Sequence, residues 1–280
     1  MLAPQNLRTF FLLILFVMAS TAAQAGCGGG GAGGGGAGGS GGSGGAGSVN
    51  LGSNDLPSDM NYPPGQSPRE LYIKRYEKVL EAKPDDLDAM KRLGIVYHHQ
   101  SAIFVPGSTE VAIDFLKKVL EKNPDDQESR AFLGSAMTMV ARDSWNPFTK
   151  MSMVNEGADL IDEAIEKSPK NVIVRLVRAN NSLNLPDFMK RRHFVLEDFL
   201  FIESIADDPE ADFGIPSDYG KYDTPDVLAK TYYQLGMVYQ LEGEQESAVK
   251  YFKKSVASWE ESRWAQGAMQ MLAELKAHVD

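Results

Sequence analysis

An all-helical repeat fold is what this sequence predicts, and three observations carry that reading. From Ser67 onward, apolar residues recur at helical spacing, and strand-like alternation is absent. Helix-stopping prolines return at near-regular intervals, at Pro84, Pro124, Pro169 and Pro209. A small residue, Gly94, Gly134 or Ala179, stands at a similar place between successive prolines, and Gly236 repeats it in the last stretch. Each proline ends a helix because its ring removes a backbone donor and restricts the residue before it. The glycines fit where paired helices cross closely.

The segments ahead of the repeats come first in the chain. Residues 1–26 read as a signal peptide: Arg8 precedes the apolar run Phe10–Ala19, and Ala23-Gln24-Ala25 supplies small residues at −3 and −1. The run is short for a membrane span of about 20 residues. The single cysteine, Cys27, follows directly, so an intramolecular disulfide and any CxxC redox or zinc pattern are excluded. Ala25-Gly26-Cys27 resembles the end of a bacterial lipobox, although Gln24 stands where an aliphatic residue is usual. That resemblance implies lipid attachment at Cys27 and a place in the periplasm or outer membrane as a lipoprotein. Ordinary cleavage after Ala25 implies a soluble secreted protein instead, and both readings stay open. Residues 27–66 form a Gly/Ser/Pro-rich tether. Of the chain's 27 glycines, 17 lie between Gly26 and Gly52, and such a stretch buries nothing and behaves as a random coil.

Residues 67–280 are one domain's worth of sequence. Within it, Tyr232, Leu235, Gly236, Tyr239, Ala248 and Phe252 form the cleanest unit. Met90, Leu93, Gly94 and Tyr97 lead to Ala112, Leu116 and Pro124; Arg130, Leu133, Gly134 and Met137 lead to Gly157, Ile161, Ala164 and Pro169. A weaker unit runs from Arg175 and Ala179 to Glu197, Phe201 and Pro209. Arg69–Ala82 reads as a lone second helix ahead of them, and Arg263–Val279 as a cap behind. This register resembles the tetratricopeptide (TPR) signature. The resemblance implies a right-handed α-solenoid of about four helix pairs with flanking helices. One departure is systematic: Gly236 and Ala248 are 12 apart, but Gly94 to Ala112 is 18, Gly134 to Gly157 is 23 and Ala179 to Glu197 is 18. Enlarged turns inside three successive units are therefore expected. Each insert joins a proline to an aromatic residue: Phe104 with Pro106, Trp145 and Phe148 around Pro147, and Phe188 after Pro186. Either the inserts pack on one another, or Phe104, Trp145, Phe148 and Phe188 form a partner-binding ridge along one edge.

The TPR resemblance also implies a concave groove lined by the first helix of each unit. Carried over by position, it draws on Lys91, Ile95, His98 and the adjacent His99, Ser135 and Met139, Leu176, Asn180 and Asn184, and Tyr233 and Met237. Lys91 fits the dicarboxylate-clamp variety of the family, but Ile95 replaces its Asn. The mixture of amides with Met, Leu and Tyr suits an extended or helical peptide. No chemistry competes with binding. His98 and His99 are neighbours and point to different faces, so they do not chelate as an i, i+4 pair. No G-x-S-x-G elbow and no P-loop occur, and no cofactor or catalytic residue is expected. The net charge of −10 repels phosphate backbones and anionic lipid, so nucleic acid is not an expected partner. The expectation is a non-enzymatic scaffold or adaptor of the bacterial cell envelope that binds segments of other envelope proteins. The alternatives are an accessory subunit of an envelope transporter or cell-wall machine, and an enzyme with unrecognised chemistry.

Overall fold

A computed structural model describes residues 68–208 and 224–277; the signal peptide, Cys27, the tether, Pro209 and Val279 lie outside the described residues. The helices follow from a turn that repeats. In Lys83-Pro84-Asp85-Asp86, Asn123-Pro124-Asp125-Asp126 and Ser168-Pro169-Lys170-Asn171, the proline stops one helix and the last residue caps the next. Asp86 accepts from the Ala89 amide at 3.0 Å, Asp126 from Ser129 at 2.9 Å and Asn171 from Val174 at 3.0 Å. Each satisfies one of the first-turn amides that a helix leaves unpaired.

The elements are α1 (Pro68–Ala82), α2 (Leu87–Ala102), α3 (Ser108–Lys122), α4 (Gln127–Asp143), α5 (Pro147–Lys167), α6 (Val172–Asn184), a 3-10 turn (Asp187–Met189), α7 (Arg192–Ser204), α8 (Thr224–Leu241), α9 (Gln245–Ser258) and α10 (Arg263–Ala277). No strand occurs among the described residues. Four helix pairs, α2/α3, α4/α5, α6/α7 and α8/α9, stack in chain order between α1 and α10. The first helices α2, α4 and α6 also touch one another in sequence, whereas α6 and α8 are joined through α7.

The core follows the stack. Tyr72, Ile73 and Tyr76 of α1 close on Ala89, Leu93 and Val96 of α2. Leu116, Leu133, Ile161 and Val174 run through the middle. Phe199, Ile202, Leu235 and Tyr251 join the third and fourth pairs, and Ala268 of α10 seals against Phe252. Gly134 and Gly157 face each other so closely that a Cβ on either would meet the other's carbonyl oxygen, at 2.3 and 2.4 Å. Only paired glycines allow α4 and α5 to cross there.

The inserted residues are distributed unequally. In the first unit the turn is Ile103–Gly107, and in the third it is Leu185–Arg191, which contains the 3-10 turn. In the second unit the turn is only Ser144–Asn146, the same length as Glu242–Glu244 in the uninserted last unit. Its extra residues instead carry the helices further beyond the crossing point: α4 runs four residues further past Gly134 than α8 does past Gly236, and α5 starts seven residues further ahead of Gly157 than α9 does ahead of Ala248. The sequence supports this: Asn146 caps α5 through the amides of Phe148 and Thr149, and Pro147 occupies the first turn, where its missing donor costs nothing.

Candidate partner-binding surfaces

The first helices are stitched together by polar side chains. Lys91 of α2 reaches Asp126 at 3.0 Å and Glu128 of α4 at 2.8 Å. Glu128 in turn accepts from the Asn171 amide at 3.0 Å, at the start of α6. Burial opposes the Lys91 charge, but Glu128 and Asp126 outweigh it and raise the ammonium pKa. Lys91 is therefore bound within the scaffold and does not offer a clamp for a carboxylate. Deeper in, His98 Nε2 lies 2.9 Å from Ser135 Oγ, with the ring edge-on to Phe132 at 5.1 Å. Asn181 of α6 donates to Thr138 Oγ1 at 2.7 Å.

These bonds sort the groove residues. Ile95, His98 and Ser135 are buried between α2 and α4, so they build the wall and are not presented to a partner. The cause is the close approach of successive first helices, which covers the positions nearest the seam. Tyr233 and Met237 lie under α10: the Tyr233 ring stands 5.8 Å from Trp264, and both residues pack against the Ala248–Phe252–Ala268 cluster. Met139, Leu176 and Asn180 are half-buried, and Asn184 is exposed. The Thr138–Asn181 bond holds α4 and α6 together at the level of Met139 and Asn180. Both asparagines bind back to their own helix, Asn180 to the Leu176 carbonyl and Asn184 to the Asn180 carbonyl at 2.7 Å. One N–H of each amide is thus engaged, and Oδ1 of each makes no hydrogen bond among the described residues.

His99, beside His98, reports the electrostatics of this face. Its pKa is pushed down to about 3, first by burial and then by Lys230, Arg69 and Arg263. Cations from α8, α1 and α10 act on one ring, although the chain as a whole is acidic. The third unit contains a feature that the sequence did not announce. Asp198 of α7 is fully buried and receives Arg175 Nη1 at 2.8 Å and Arg178 Nε at 2.8 Å. Arg175 also donates to the Pro169 carbonyl at 2.6 Å, tying the inter-unit turn to the helix pair. Residue spacing shows that Arg175 and Arg178 share a helix face; nothing in it marks Asp198 as their buried partner.

The turn aromatics do not pack inward. Trp145 is 91% exposed, Phe148 85% and Phe188 68%, and Phe104 is exposed as well. Of the two readings of the inserts, these exposures do not fit packing into the core: helix extension carries the second tip outward, and its aromatic rings stand in solvent. Phe104 and Lys190 adopt φ of 63° and 54°, the left-handed region that favours glycine. Among the described residues no group of three His, Cys, Asp or Glu side chains is placed to hold a metal. No described helix is long and apolar enough to cross a membrane.

Residues 229–258, covering most of α8 and all of α9, match the tetratricopeptide repeat family model. A solved structure, the thermophilic TPR protein TTC0263 of Thermus thermophilus, is similar over 75% of this chain and 91% of its own, with a TM-score of 0.54 at 12% identity. The fold is that of the TPR solenoids. Two crystal structures of MamA also match, at 23% identity each. They cover 67% of this chain and 86% and 81% of their own, with TM-scores of 0.40 and 0.38. No curated protein matches the sequence. TPR domains bind protein or peptide partners, and the family-model match falls on the α8/α9 pair, which has no insertion.

Proposed function

We propose that this TPR chain is an exported, non-enzymatic scaffold of a bacterial cell envelope, held to a membrane through Cys27 and binding partner segments along its concave face. The coarser part, a protein-binding scaffold, follows from the fold. The observation that carries the groove reading is the row left open after the first helices have packed: Met139, Leu176, Asn180 and Asn184. It combines an adaptable thioether, an aliphatic wall and two amide oxygens, which suits a peptide backbone that donates N–H groups. Export and tethering are supported by the signal-peptide layout, by the position of Cys27 and by the glycine-rich tether.

The test is the double variant Asn180→Ala, Asn184→Ala. Alanine is the better helix former, so thermal stability is expected to hold or rise. Affinity for a partner recovered from envelope extract is expected to fall by about 0.5–1.5 kcal/mol per lost hydrogen bond. A lower melting point with unchanged recovery of the same partner would show the amides to be structural. Tethering is tested separately: the wild type should take up labelled palmitate and sediment with membranes, and Cys27→Ala should release it. Soluble wild type beginning at Gly26 would sink the anchor and leave the groove reading standing.

A further inference from the structure

The three inserted turns share more than aromatic residues. The first two are contiguous: the Arg142 guanidinium at the end of α4 lies 4.2 Å from the centre of the Phe104 ring, and it donates to the Ser101 carbonyl at 3.2 Å. The base of the third is fixed to α5 by Arg191, whose two Nη atoms reach Asp162 at 2.8 and 2.6 Å. All three lie where the helices of a pair are joined, but Asp162 is 15 residues along α5 from Pro147, so the second turn projects well beyond the third. On this edge Trp145 and Phe148 stand almost wholly in water, beside exposed Ile103, Phe104, Val105 and Met151. Seven further residues at about 1.5 Å rise each carry the start of α5 roughly 10 Å beyond its counterpart in the last unit.

Charge distinguishes this edge from the rest of the molecule. Residues 101–108, 142–154 and 185–194 contain five Lys or Arg and two Asp, a net +3 in a chain of −10. Two of those cations are held by acids, Arg142 by Asp143 and Arg191 by Asp162, each at 2.6 Å; counting Asp162 lowers the net charge to +2 and leaves Lys150 and Lys190 as the lysines of this edge. The turns at the other ends of the helix pairs, 83–86, 123–126, 168–171, 204–208 and 259–262, contain two Lys and eight acids, a net −6. The uninserted turn Glu242–Glu244 is acidic and does not reach as far. Projecting Trp and Phe, accompanied by cations on one edge and opposed by acids on the other, make a surface that complements a bilayer. An indole prefers the headgroup boundary, aromatic area leaves water there, and lysines meet anionic lipid.

We propose that the edge formed by the three inserted turns docks on a bilayer surface containing anionic phospholipid, with Trp145 and Phe148 entering the headgroup region and Lys150 and Lys190 facing lipid phosphates. Acylation of Cys27 is not required. If present, it holds the domain within the reach of the tether, roughly 35 Å for some 40 flexible residues, and the docked edge then fixes its orientation.

The experiment uses the full chain carrying Cys27→Ala, so that no acyl group can form, and vesicles of phosphatidylglycerol with phosphatidylcholine or of phosphatidylcholine alone. Co-sedimentation is expected with the anionic vesicles and weakens with salt. Trp145→Ser with Phe148→Ser, and separately Lys150→Glu with Lys190→Glu, should each raise the vesicle Kd at least tenfold with no change in melting temperature, because the tip side chains pack against little. Failure of the parent to bind anionic vesicles overturns the proposal. So does equal binding by the variants, which would assign attachment to the amino-terminal apolar run. A photo-reactive group in place of Phe148 should label lipid in cells; labelling of a protein instead overturns the proposal in favour of a protein dock.

Discussion

At Gly134 a single added carbon would stand 2.3 Å from the carbonyl oxygen of Gly157, and backbone cannot rotate out of the way as a side chain can. Gly134→Ala is therefore expected to cost about 1–3 kcal/mol, as overpacked cores do, and to lower the denaturant midpoint accordingly. Gly236→Ala is the control. Its Cβ meets the Phe252 ring at 2.6 Å, a side chain and not backbone, so the loss should be smaller. Equal losses would mean that the α4/α5 crossing is no tighter than the α8/α9 crossing. His98 gives a second prediction at this scale. Burial, then His99 and Lys230, hold its pKa well below the ordinary value. Above about pH 6.5 the ring is neutral in both folded and unfolded chains. Below it, the unfolded chain takes up protons that the folded chain refuses at both His98 and His99, so each ring lowers stability by up to about 1.4 kcal/mol per pH unit. His98→Gln should remove one ring's share of that slope between about pH 6.5 and 4.5 in denaturant titrations. An unaltered slope would remove His98 as a source. Both residues could be placed from their spacing, and so could the role of Gly134, but not that of His98. Gly134 reads as a crossing glycine because it falls in register with Gly94 and Gly236. His98 reads as a groove residue because its position in the repeat does not reveal that Ser135 closes over it.

On the scale of single elements, α5 departs furthest from its expected form. An 11-residue excess between Gly134 and Gly157 was legible as an insertion, but spacing alone does not separate a loop from longer helices. The cap at Asn146 followed by Pro147 does separate them, since that pair starts a helix immediately after α4 ends. The consequence for Trp145 can be measured. Its emission, obtained as the difference between wild type and Trp145→Phe, should be red-shifted and fully open to iodide. A blue-shifted, shielded component would mean that the tip folds back onto the solenoid. Replacing so exposed a side chain should change stability by less than about 0.5 kcal/mol. The helix ends tell the same story in reverse. The Pro-x-Asp/Asn turns were legible because the chemistry that stops one helix and caps the next is local, whereas the Lys91–Glu128–Asn171 ladder needs three helices in place before it exists.

For the molecule as a whole, stability should be divided unevenly along the stack. Repeat solenoids are held by nearest-neighbour interfaces, and here α6 and α8 are joined mainly through α7. At that joint Glu203 of α7 accepts from Tyr251 at 2.9 Å and from Lys254 of α9 at 2.5 Å. Glu203→Gln removes the charge from both contacts and should raise amide hydrogen exchange in α8–α10 more than in α2–α5. A uniform rise would show one cooperative unit from end to end. The order of helices and the position of the cap were readable because each unit repeats the same local grammar. The burial of Asp198, the closure of Tyr233 under α10 and the exposure of the tips were not, because each depends on what a neighbouring unit places opposite.

The extra lengths of α4 and α5 beyond their crossing point, four and seven residues, have a geometric meaning of their own. At 3.6 residues per turn they are close to one and two whole turns, about 40° past and about 20° short of a full rotation. Lengthened in such quanta, two paired helices grow like the arms of a ladder whose rungs keep facing inward. The Gly134–Gly157 contact stays in place while the tip travels outward with little change of heading. A tip that grows this way can be re-equipped with new side chains without renegotiating the fold beneath it. The second unit is thus the place where this lineage could lengthen or shorten its reach most cheaply.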